Sequence, residues 1–163
     1  MSGTPNPTIE EIRSILADMA RCVAADEEPT LDPVIRAGIR RAVDELEQFI
    51  PGLDPTPDAE GARHMVSAAG NALLAGRARI ALARALRGLS YAPHHPELHY
   101  LAASACFELA AASEAISLLA HTLWIHPGHQ KARRKLDTLL VFGTGDETGL
   151  DPGPNDDDLD RAA

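Results

Sequence analysis

Two stretches of this chain echo one another at a fixed interval, the one that separates Pro93 from Pro127. Ala81 recurs as Ala115, Leu89 as Leu123 and His95 as His129, while Ala68 and Ala69 fall on Ala102 and Ala103. Self-similarity at a period of about 20 to 50 residues marks units that cannot bury their apolar faces alone and must stack on one another. The material between the prolines is rich in alanine and leucine, with apolar residues at steps of three and four, so each unit reads as a pair of helices. Stacked helix pairs offer extended surfaces to other proteins. The first expectation is therefore an all-α binding module.

Composition narrows this further. The chain of 163 residues is 45% hydrophobic but only 4% aromatic, so small side chains must do most of the packing and helices must approach closely. A formal charge of −9 and a pI near 5.1 argue against nucleic acid, which asks for a basic footprint. No apolar run has the length of a membrane span, and residues 1–7 carry neither a positive start nor an apolar stretch, so no signal peptide is expected. Cys22 and Cys106 sit within helical apolar patterns. Free thiols in a reducing cytoplasm are expected, with a Cys22–Cys106 disulfide as the alternative.

Along the chain, Ile9, Ile12, Leu16, Met19 and Val23 form one helical stripe, started either by Asn6 with Pro7 or by a Thr8/Glu11 capping box and ended near Pro29. Asp32-Pro33 opens a second helix carrying Ile35, Ile39, Val43, Leu46 and Ile50, and Pro51-Gly52 stops it. The step from Pro51 to Pro93 is longer than that from Pro93 to Pro127, so this hairpin, within 1–52, stands outside the repeat. It is expected to cap the array or to mediate a homodimer. Thr56-Pro57 opens the repeat region, 57–142: one hairpin over 62–95 with its turn at Gly76, a second over 96–129 with its turn near Ala111-Ala112, and a solvating last helix from His129 to Phe142. The remainder, 143–163, holds seven acidic residues against one basic around Pro152-Gly153-Pro154 and reads as a disordered acidic tail.

Glu114-Ala115-Ile116 followed by Leu123, Ile125 and Pro127 resembles the second-helix half of the tetratricopeptide repeat (TPR), and Gly76, Ala81, Leu89 and Pro93 repeat that half upstream. The family's period is about 34 residues, which the proline interval matches. Gly88 and Thr122 stand where that family usually has alanine. The resemblance implies a TPR-like α-α superhelix with an extra N-terminal hairpin. An acidic chain with a helical segment before a small block of this kind is also similar to the chaperones of type III secretion translocators, notably over 94–116.

The TPR register implies a concave face lined by the first helix of each pair. It names Arg63, Val66, Gly70 and Leu73 from the first unit, Tyr100, Ser104 and Phe107 from the second, and Arg134 and Thr138 from the last helix. Lys131 also lies on that face, but Val66, Gly70 and Leu101 occupy positions where family members that clamp a terminal carboxylate carry polar groups. A groove centred on Val66, Leu73, Tyr100 and Phe107 with basic ends suits an apolar protein or peptide segment. The implied function is that of a small chaperone or adaptor, with a scaffold subunit as the alternative.

Chemistry is weakly signalled. His95 and His99 lie one helical turn apart, and His126 and His129 fall at the next equivalent turn, so a metal site across the repeats is an alternative. The glutamate of the zinc motif is displaced, and Pro96 places His95 at a helix start, which favours a capping His95 and a packed His99. Asp156-Asp157-Asp158 lacks the glycine bend and closing glutamate of a calcium loop. The basic run Lys131, Arg133, Arg134 and Lys135 reads as a solvated face or as a contact for the acidic tail. No nucleophile–base–orienter set and no phosphate loop is present, so no enzyme and no cofactor are expected.

Overall fold

A computed structural model describes residues 7–28, 30–49 and 59–142. Among them are seven helices and no strand: α1 (Ile9–Ala25), α2 (Pro33–Leu46), α3 (Ala59–Leu74), α4 (Ala78–Tyr91), α5 (Pro96–Glu108), α6 (Ala112–Ile125) and α7 (Gln130–Phe142). The expected stops at Pro29 and Pro51-Gly52, the start at Thr56-Pro57 and the acidic segment 143–163 lie outside the described residues. No described helix is long and apolar enough to cross a membrane.

Local chemistry accounts for the helix starts. The Thr8 hydroxyl accepts the Glu11 amide at 3.2 Å and the Glu11 carboxylate accepts the Thr8 amide at 3.4 Å, so a capping box opens α1, while Asn6 lies outside the described residues. Asp32 caps α2 through the Val34 amide at 2.7 Å, with Pro33 in the first turn. One expectation is corrected here: α2 ends at Leu46, not at Ile50 beside Pro51, because the amides of Glu47, Gln48 and Phe49 bond three residues back to Asp44, Glu45 and Leu46 and tighten the last turn.

From α3 to α7 the backbone repeats in detail. The Arg77 amide bonds the Ala72 carbonyl at 2.8 Å and the Ala111 amide bonds the Cys106 carbonyl at 2.8 Å, a closure that satisfies the orphan carbonyls of α3 and α5. The residues before them, Gly76 and Ala110, are left-handed, with φ of 75° and 63°. Downstream, Ala92 leaves α4 at φ −139° and ψ 84°, and His126 leaves α6 at φ −136° and ψ 85°. The members of each pair stand at the same interval as Pro93 and Pro127.

The packing is continuous. α4 lies among α1, α3 and α5; α6 lies among α2, α5 and α7. Ile12, Leu16 and Val23 of α1 and Ile39 and Leu46 of α2 are buried in the same apolar cluster as Leu82, Leu86, Leu98 and Leu118. The apolar stripe of α1 is thus used within the chain; Ile9 and Met19 are its half-buried members, Met19 lying against Gly38. Gly88 explains how closely α3, α4 and α5 meet: a Cβ there would lie 2.8 Å from both Met65 Cβ and a Leu98 methyl.

Two polar ties hold the first hairpin down. Arg36 of α2 donates to Glu114 of α6 at 2.6 Å; the Glu114 carboxylate is enclosed and also accepts the Ser113 hydroxyl at 2.9 Å. Arg79 of α4 reaches the carbonyls of Thr30 at 3.3 Å and Glu28, and the Asp26 carboxylate at 3.4 Å, closing the α1–α2 loop.

Candidate functional site

A cleft with both aromatic and basic walls lies between α5 and α7. Tyr100 and Phe107 enter from α5, two turns apart on one face; Lys131, Arg134, Lys135 and Leu139 enter from α7, enclosing about 400 Å³. The floor is Leu139, which is buried, and the ring of Phe107 is 48% exposed, so an apolar side chain placed there would lose water from both partners. The Lys135 ammonium lies 5.7 Å from the Phe107 ring centre and 6.0 Å from that of Tyr100, a cation–π arrangement that holds the charge over the cleft.

Of the nine residues expected on the concave face, Tyr100, Phe107, Arg134 and Thr138 meet in this cleft. Ser104 does not reach it and is corrected: it is buried, and its hydroxyl donates to the Tyr100 carbonyl at 3.1 Å one turn back. Arg63 is exposed and Val66, Gly70 and Leu73 are half-buried, and none of the four lines the α5–α7 cleft. Lys131, Lys135 and Leu139 complete the walls; the helical spacing of α7 places all three with Arg134 and Thr138 along one side.

The histidines are brought together in a different set from the one the spacing suggested. His99 is buried, and its Nε2–H donates to the Pro93 carbonyl at 2.6 Å, which leaves Nδ1 bare and without a partner. Its ring lies 4.5 Å from that of His121, which stacks on His94 at 5.4 Å and 13° and meets Trp124 at 5.2 Å. The His121 Nε2 and His94 Nδ1 atoms are 3.3 Å apart. Burial, and then the neighbouring His121, holds His99 well below the ordinary imidazole range; burial, and then His94, lowers His121 to about 4. His95 is the N-cap of α5 and is also lowered, by burial against the opposing pull of Glu97.

Both ring nitrogens of His129 are committed to structure. Nδ1 accepts the Ala132 amide at 3.1 Å at the start of α7, and Nε2 faces the Glu97 carboxylate at 3.0 Å. His95, His99, His126 and His129 therefore do not converge, and among the described residues no three His, Cys, Asp or Glu side chains could hold a metal ion together. His94 and His121 escaped the sequence reading because their separation is off the repeat period. Cys22 is exposed and Cys106 buried, both as free thiols, and burial raises the Cys106 thiol far above its usual range.

Comparison with protein-family models, with curated proteins and with solved structures finds no match to this chain.

Proposed function

We propose that the chain is a non-enzymatic protein-binding module of TPR type, which holds an apolar segment of a client protein in the cleft between α5 and α7 as a small cytoplasmic chaperone or adaptor. The observation that carries this reading is the pairing of the Tyr100 and Phe107 rings beneath Lys131, Arg134 and Lys135. Aromatic anchors in a walled cleft with basic groups at the rim are what an extended or helical peptide with an acidic residue requires. The recurrence of the turn hydrogen bonds at the Pro93-to-Pro127 interval supports the TPR assignment, and the free thiols of Cys22 and Cys106 fit a reducing compartment.

The test is co-purification of the full chain and its variants from the native cell, with partners identified by mass spectrometry. Phe107→Ala with Tyr100→Ala should lower the affinity for the captured client by roughly 30-fold or more, in line with the loss of a central aromatic anchor. Unchanged affinity at unchanged helicity would place the client elsewhere. A client that is insoluble or degraded without this chain identifies the chaperone role; a stable complex of independently folded parts identifies the adaptor.

A further inference from the structure

The α5–α7 cleft carries a charge that its neighbours leave unbalanced. Lys131, Arg133, Arg134 and Lys135 stand on α7 with Asp137 as its single acid, and none of these bases forms an ion pair with a described residue. The half-buried ring of Tyr100, the open ring of Phe107 and the buried Leu139 lie beneath them. Such a surface asks for a ligand that presents carboxylates on both sides of an aliphatic side chain.

The chain that follows α7 contains this pattern. Asp156-Asp157-Asp158-Leu159-Asp160 flanks one leucine with four aspartates, in a protein whose net charge is −9. Geometry permits the return. From Phe142 back to Lys131 along the helix axis is about 17 Å. The stretch from Phe142 to Asp156 is long enough to span at most about 48 Å, so residues 156–160 are within covalent reach of the whole cleft.

We infer that residues 156–160 occupy the α5–α7 cleft of their own chain, with Leu159 against Phe107 and Leu139 and the aspartates facing Lys131, Arg134 and Lys135. A client must displace this segment to bind; that regulatory consequence rests on the cleft being the client site, while the occupancy itself does not. The client is thereby specified as well: to compete, it must offer carboxylates around an apolar anchor.

The experiment uses the full chain with Cys22→Ser, so that a nitroxide can be placed on Ala162→Cys while the buried Cys106 stays inert. Amide signals of Tyr100, Phe107, Lys135 and Thr138 should broaden strongly while those of α1 do not, and the effect should fade in about 0.5 M salt, where exposed charges are screened. Asp156→Lys with Asp157→Lys and Asp158→Lys, which leaves every described helix unaltered, should abolish the broadening, as should Lys131→Glu with Arg134→Glu and Lys135→Glu. Broadening that is absent, lies elsewhere, survives either set of charge reversals, or appears between separately labelled chains in a mixed sample overturns the inference. A client that binds the cleft in a protein without broadening would sink this inference alone; broadening without client binding would sink only the functional proposal.

Discussion

At the α3–α4 turn the left-handed residue is Gly76; at the matching α5–α6 turn it is Ala110. The contrast continues through the two hairpins. Gly88 lies bare beneath Met65 and Leu98, while its counterpart Thr122 is buried with its hydroxyl donating to the Leu118 carbonyl at 2.8 Å. Ile80 lies beside α1, partly in solvent, whereas Glu114 at the same register is enclosed and paired with Arg36 of α2. Leu73 is half-buried, but Phe107 is open. One backbone period thus carries two chemistries, set by which neighbour each hairpin meets. The first hairpin is packed by α1 and α5; the second meets α2 through an ion pair and meets α7 across a cleft.

The largest difference to probe is the enclosed carboxylate. Arg36→Ala leaves Glu114 with the Ser113 hydroxyl and, as its one charged partner among the described residues, Arg40 at 3.9 Å, and should cost about 2–3 kcal/mol of unfolding free energy, because a poorly compensated buried charge is expensive. Ile80→Ala, at the same register of α4, should cost about 1 kcal/mol, since its side chain is partly solvated already. Equal losses in denaturant titrations would mean the two hairpins are held alike.

Acid should reveal the histidine packing of the second hairpin. His99 and His121 have folded values below the unfolded one, so between about pH 6.5 and 4 the unfolded chain binds more protons, and stability falls as pH falls through that window. His121 alone should contribute a loss of about 3 kcal/mol by pH 4, full stability being present above the unfolded value. His121→Phe should flatten the decline between pH 6.5 and 5. A slope identical to that of the parent would show that this ring is solvated.

Smaller effects sharpen the turn comparison. Gly88→Ala gains helix propensity but forces the Met65 and Leu98 contacts apart, for a net loss of about 1–2 kcal/mol. Ala110→Gly should raise stability by about 0.5–1 kcal/mol by relieving a left-handed alanine, and Gly76→Ala should lower it by a similar amount. If the two turn substitutions act with the same sign, the closures are not equivalent.

Most of the architecture could be read from the sequence because it rests on local signals: the Thr8 and Asp32 caps, the Gly76 turn and the proline period placed the described helices within a few residues. What could not be read depends on which helix faces which. Ser104 follows the groove register yet lies inward, because α5 is surrounded by α3, α4 and α6. The His94–His121 stack and the Arg36–Glu114 pair each join positions far apart in the chain, and no local pattern signals either. Helical spacing aligns Tyr100 with Phe107 on α5 and Arg134 with Thr138 on α7, while the expectation that the two pairs share a face came from the TPR register.

The most direct measurement of the central claim is amide hydrogen exchange of the full chain with and without its captured client. Slowed exchange should concentrate in α5 around Tyr100–Phe107 and in α7 around Lys131–Leu139, with α1 and α4 unchanged. Protection confined to α1 and α2, or to the face of α4 beside Ile80, would contradict a client site between α5 and α7.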